Sequence, residues 1–186
     1  MRTILSIAAF ASLLVAGACS AAGETGSMSG FDIAADADGK IKLPDQSFRS
    51  NWPMLGSWTV NGEDGAAGLH IVYTQPETID AFRETGSFPD GAVIVKELRS
   101  ASTEDLTTGR VSYAGDLEGW FVMVKDKSGR FEDNPLWGDG WGWGYFSADA
   151  PSSLVTMDYK LECKSCHVPA KDTDWIYTRA YPLLNE

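Results

Sequence analysis

The stretch Gly68–Leu98, GLHIVYTQPETIDAFRETGSFPDGAVIVKEL, decides the fold. Its first seven residues, Gly68–Thr74, are β-branched and apolar, as a strand requires. Pro76 then stands where a first helical residue tolerates proline, and Gly86 stands where a helix stops in a left-handed conformation. Ile79 and Phe82 share one face of the helix between them. Phe88–Gly91 turns the chain, and Ala92–Leu98 (AVIVKEL) is a second strong strand. Strand, capped helix and strand within so few residues define one packing unit.

Outward from this block the same logic continues. Trp120–Lys125 (WFVMVK) reads as a strand and Asp126–Arg130 as a turn. Trp137–Phe146 (WGDGWGWGYF) alternates Trp and Gly, as in a strand with one bulky and one bare face. Leu154–Tyr159 fits strand or helix, and Trp175–Tyr181 adds an apolar segment near the C-terminus. The 186 residues carry 19 Gly and 8 Pro, which implies many turns and short elements, enough for one domain and too little for two. The expected fold is mainly β of the α+β kind, an antiparallel sheet domain with a few short helices.

The N-terminus has the pattern of a secretory signal over residues 1–22. Arg2 supplies a positive start, Ile4–Val15 an apolar run too short to span a bilayer comfortably, and Ala16–Ala22 a series of small residues. Cleavage is allowed after Ala18 or Ala22, and a lipoprotein signal would instead cut before Cys19 and lipidate it. Residues 23–40 are small, acidic and rich in Gly and Ser, so they read as a flexible leader, with the folded domain over 41–186. The expected location is the periplasm, free or anchored through a lipid on Cys19. The net charge of -11 repels nucleic acid and anionic lipid. It suits a small neutral or cationic substrate or a basic redox partner, and it also serves solubility alone.

Of the three cysteines, one lies in the signal and two lie in Cys163-Lys-Ser-Cys166-His167. Thiols at this spacing reach the two vinyl groups of a haem, and the following His projects its imidazole to the iron. Half of a zinc site and a thioredoxin-like redox pair are the competing readings. The chain has only 2 His, so a zinc site would need a carboxylate, and no βαβ unit is evident for a redox pair. Covalently attached haem c, with His167 on the iron, is therefore the favoured reading. No Met or His follows His167, so the sixth iron position is open or filled from upstream, by Met123 or His70.

At this point the sequence resembles the cytochrome P-460 family, which includes the cytochromes c-prime-beta. LPDQSFRSNWPMLGSW (43–58) looks like the family's opening segment, and the block from His70 to Ser100 looks like its most recognisable part. GDLEGWFVMVKDKSGRF (115–131) and the Trp/Gly run are similar to its later strands, and ECKSCHVPAKDTDWIYTRAYPLL (162–184) to its haem segment. The resemblance implies an antiparallel β domain, often a homodimer, with five-coordinate haem held by His167. In the P-460 branch a lysine is bonded to the porphyrin edge and hydroxylamine is oxidised, with electrons passing to a periplasmic acceptor; that lysine corresponds to Lys96. In the c-prime-beta branch the haem is usually free of this bond, phenylalanine lines the distal side, and nitric oxide or carbon monoxide binds.

Residues add their own arguments. Ile94, Lys96 and Leu98 share one strand face, but Val93 and Val95 make the other equally apolar, so alternation leaves open whether Lys96 faces a cofactor or snorkels at a rim. Phe121 stands where hydroxylamine-oxidising relatives carry a carboxylate, and Glu118 has the opposite strand parity. Phe121 is thus a hydrophobic cap over a diatomic ligand, or a plain core aromatic. His70 is a hydrogen-bond donor to bound ligand, the missing base, or a strand histidine satisfied by neighbours. Arg179 is a candidate partner for a haem propionate. The functional expectation is oxidation of hydroxylamine or a related small nitrogen compound, with binding of a small gas as the alternative and electron carriage third.

Overall fold

The strand-helix-strand block forms as its punctuation demands. β2 (Gly65–Thr74) leads into α3 (Pro76–Thr85), and β3 (Val93–Leu106) returns antiparallel to β2 with Val72 opposite Lys96. Pro76 opens the helix; Gly86, at φ 71°, closes it with its N–H on the Phe82 carbonyl, a conformation that favours glycine. Gln75 ties the corner, accepting from the Val93 N–H at 2.7 Å and from the Thr78 hydroxyl at 3.2 Å. The computed structural model describes residues Ser29–Asn185 apart from Asp64. The expected signal segment, with Cys19, lies outside the described residues.

Around this block stand β1 (Met54–Gly62), β4 (Gly109–Lys125), β5 (Trp137–Gly138) and β6 (Trp141–Ser147). They make one antiparallel six-stranded sheet in the order β1-β2-β3-β4-β6-β5. Short helices flank it: α1 (Gly30–Ala34), α2 (Phe48–Asn51), α4 (Tyr159–Glu162) and α5 (Lys164–His167). Three 3-10 turns, Val168–Thr173, Thr178–Ala180 and Pro182–Leu184, complete the C-terminal segment. No helix among the described residues is long and apolar enough to cross a membrane.

Both faces of the sheet are covered, which explains the continuous apolar run of β3. One face buries Val72, Ile94, Met123, Trp141 and Trp143 under Tyr159, Cys163, Ile176 and Tyr181 of the C-terminal segment. The other buries Val93, Val95, Trp120 and Val122 under Ala34, Ala35, Ile41 and Phe48 of the N-terminal segment.

Packed structure therefore begins inside the stretch expected as a flexible leader over 23–40, at α1. Ala34 and Ala35 are buried, Ala35 bridges to Ile41, and Phe31 stacks on Trp137 at 6.2 Å. Small residues that resemble a linker in composition are there because the space is narrow. Two further expectations need correcting. Trp137–Phe146 is not one strand: Asp139 (φ 55°) and Gly140 (φ 81°) form a two-residue hairpin turn between β5 and β6. Its bare face is also packed, since a Cβ on Gly142 or Gly144 would come within 2.7 Å of Ile41. Leu154–Tyr159 contributes only a bridge from Leu154 to Phe146 before α4 begins.

β3 and β4 outrun their neighbours. β2 pairs with β3 as far as Ser100, and β6 pairs with β4 only from Gly119. Beyond these points Ser102–Leu106 and Gly109–Tyr113 pair with each other alone among the described residues, leaving Leu106 and Tyr113 exposed.

Candidate functional site

The C-terminal segment is shaped to present three side chains to the sheet. Asp158 caps α4 by accepting from the Lys160 N–H. Cys163 leaves helical geometry (φ -121°, ψ -42°), breaking the helix between α4 and α5 so that the segment bends over the sheet. Cys163 is buried, while Cys166 and His167 follow on α5, with Cys166 exposed and His167 half-buried. Between this segment and the sheet lies a cavity of about 720 Å³. Cys163, Cys166 and His167 line it from above, and Trp58, His70, Lys96, Phe121, Met123 and Trp143 from the sheet.

The orientation of His167 follows from one contact. Its Nδ1 lies 2.7 Å from the Trp175 carbonyl oxygen, which can only accept, so Nδ1 carries the proton. Nε2 then holds the lone pair, as a metal-ligating imidazole requires. Burial lowers the pKa of His167, the Trp175 carbonyl opposes this, and the charge of Lys96 adds to the lowering. The ring meets Trp143 edge-on at 4.8 Å, and the Tyr177 hydroxyl donates to the Cys166 carbonyl at 2.6 Å, holding α5 in place.

Burial, followed by the nearby Glu162, pushes the Cys163 thiol up to about 11. A thiol so hard to ionise is a poor redox nucleophile. No group of three or more His, Cys, Asp or Glu among the described residues is arranged to hold a metal ion. Both findings weigh against the zinc and dithiol readings of the motif.

The sheet wall brings together the other residues singled out in the sequence. His70 on β2 and Lys96 on β3 share the cavity face, and Lys96 stands opposite Phe121 of β4 in register. The Lys96 ammonium lies 4.6 Å from the centre of the Phe121 ring. It makes no salt bridge among the described residues. Burial lowers its pKa. His70 packs edge-on against Trp58 at 5.6 Å, and burial, then the charge of Lys96, lowers its pKa from 6.5. The charge of Lys96 also acts on His167 and Cys163, so these groups form one electrostatic unit. Met123 is buried in the wall, and Arg179 sits at the cavity on an exposed turn. Among the described residues the only carboxylate lining the cavity is Glu162, beside the cysteines; Glu118 is exposed and not among the lining residues.

Several contributors carried no local signal. Trp58, Trp143, Tyr177 and the Trp175 carbonyl join the site through tertiary packing. Only the Trp/Gly alternation hinted that Trp143 faced something large.

The cavity suits a haem. It is walled mostly by apolar side chains, a pair of thiols lies along it, and an imidazole is fixed in the tautomer that leaves a lone pair for iron. The family model of cytochrome P460 matches residues 46–178, a span that includes the cysteine-histidine motif and the whole sheet. No curated protein matches the chain.

Proposed function

As the chain belongs to the cytochrome P460 family and is a haem protein, we propose that it is exported, binds the haem covalently through Cys163 and Cys166, and oxidises hydroxylamine or a similar small nitrogen compound. His167, with its Nε2 lone pair free, would hold the iron. Bound haem would supply a site that coordinates the substrate nitrogen and takes up its electrons.

What the chain supplies is a place for the protons. Oxidation of an N–H or O–H bond releases protons, and a positioned base speeds their removal. The observation that carries the reading is the pair His70 and Lys96 on one cavity wall. Burial lowers the pKa of His70, so the imidazole is neutral and able to accept at neutral pH. Lys96, desolvated and without a carboxylate partner among the described residues, would be the amine that meets the macrocycle edge. Trp58 and Phe121 line the cavity beside His70 and Lys96 and give that wall an apolar surface. Electrons leave to an external acceptor, for which a basic protein complements the net charge of -11.

The test is the visible spectrum of the ferrous protein together with hydroxylamine turnover. A main band far to the red of ordinary c haem, lost along with turnover in Lys96→Ala, is the expected result. An ordinary five-coordinate spectrum without turnover would overturn it and favour the second reading, reversible binding of nitric oxide or another small gas. Phe121 in the wall, where a carboxylate would serve oxidation, is the observation behind that alternative.

A further inference from the structure

The loop that carries the His167 acceptor is held in an unusual backbone. Asp174 (φ 57°) and Trp175 (φ 65°) are consecutive non-glycine residues in the left-handed region. Asp tolerates that region because its short side chain can hydrogen-bond locally, whereas a bulky Trp is a true outlier. Such conformations persist only where the surroundings over-determine them.

Here the surroundings are specific. Lys125, at the end of β4 and 6% exposed, forms a salt bridge from Nζ to Asp174 Oδ1 at 2.6 Å. Its ammonium also lies 4.9 Å from the centre of the Trp141 ring. The Trp141 indole N–H donates to the Asp174 carbonyl at 3.0 Å, and the Trp175 N–H to the Ala170 carbonyl at 2.9 Å. Lys125 is itself anchored, since its own N–H donates to the Ala92 carbonyl and its carbonyl accepts from the Gly91 N–H, just before β3. The path runs from the sheet through Lys125 and Asp174 to the Trp175 carbonyl, and from there at 2.7 Å to Nδ1 of His167.

We propose that Lys125 and Asp174 are positioning residues that clamp the Trp175 carbonyl to His167 and thereby set the basicity of the iron ligand. The proposal rests on the reading of His167 as that ligand. A firm Nδ1–H to carbonyl bond raises the electron donation of the imidazole. Ferric iron gains more from a strong donor than ferrous iron, so the clamp holds the reduction potential down. If the clamp is released, the left-handed turn relaxes, the carbonyl withdraws and the potential rises.

The experiment compares the haem-loaded parent with Asp174→Asn, Lys125→Met and Lys125→Arg. Its two readouts are the reduction midpoint potential and the iron-histidine stretching frequency of the ferrous protein. Asp174→Asn keeps the tolerance for a left-handed backbone and removes only the charge. Arg130→Met, which breaks the ion pairs to Asp90 and Asp126 away from the cavity, is the control for stability loss alone. In Asp174→Asn and Lys125→Met the ferric/ferrous equilibrium is expected to shift about tenfold toward ferrous, or ~59 mV for one electron. The iron-histidine frequency falls with it, and Lys125→Arg restores both toward the parent. Unmoved potential and frequency in the two clamp variants, with stability reduced as in the control, would overturn the clamp and leave His167 as ligand. Absence of an iron-histidine band in the parent would overturn the ligand assignment and the clamp together.

Discussion

Lys96 and Glu97 are neighbours on β3 and point to opposite faces of the sheet, where they meet opposite treatment. Glu97 is 1% exposed and fully answered: Arg49 and Arg99 each approach it at 2.5 Å, and the Trp120 indole N–H donates to it at 3.3 Å. Lys96 faces the cavity with an aromatic ring in place of a carboxylate. Lys125, on the same face as Lys96 but beyond the cavity, regains a carboxylate partner in Asp174. Buried charge in this protein is paired where it holds the fold and left unpaired where the cavity can use it.

The comparison can be broken in graded steps. Glu97→Ala leaves two guanidinium groups and an indole without their acceptor, and should cost about 3 kcal/mol of stability by chemical denaturation with little change in the haem spectrum. This lies at the low end for such losses because Arg49 and Arg99 keep 28% and 27% of their side-chain exposure and can rehydrate. A loss well under that would mean the two faces do not differ.

His70→Ala should lower turnover about 100-fold, near the lower end for loss of a positioned base. Its pH profile is sharper evidence. The His70 pKa is lowered from 6.5, so turnover in the parent rises with pH through that lowered value and is level above 6.5. The variant should lack this acid limb. By linkage, the depressed pKa also means that His70 contributes to loss of stability as pH falls from 6.5 toward the folded value, since the unfolded chain takes up the proton first.

In the chain before haem is attached, Lys96→Met should change stability by no more than about 1 kcal/mol, and upward, because a desolvated amine without a carboxylate is replaced by an apolar chain of similar length. Denaturation curves of Lys96→Met and Glu97→Ala side by side test the comparison most directly. The smallest effect is expected for Phe121→Ala, a several-fold faster association of carbon monoxide with the ferrous protein in flash photolysis, as the wall beside Lys96 opens.

The parts of the fold marked by local chemistry were legible in the sequence. Pro76 and Gly86 bracket α3 because backbone geometry leaves few other residues for those positions, and the Cys-x-x-Cys-His spacing carries its own meaning. What escaped was set by distance along the chain. Glu97 finds Arg49 and Lys125 finds Asp174 across nearly fifty residues, and no spacing rule reports such pairs. The facing of Lys96 was hidden for another reason. With both sheet faces buried, AVIVKEL has no polar side against which to judge the alternation. The Asp139-Gly140 turn was legible in principle, and the Trp/Gly rhythm on either side masked it.

β3 passes without interruption from the buried corner at Val93 to the solvent-exposed tip at Leu106, where only β4 accompanies it. One strand thus spans the full range of local opening. Backbone amides near Val93 and Val95 should exchange with solvent deuterium only when the whole molecule unfolds, while those from Ser102 to Leu106 exchange by fraying of a two-stranded ribbon. The tip is consequently a natural point of attachment for a label or a surface tether: a group placed at Thr107 or Thr108 would ride on the protein while the far end of the same strand stays packed in the core.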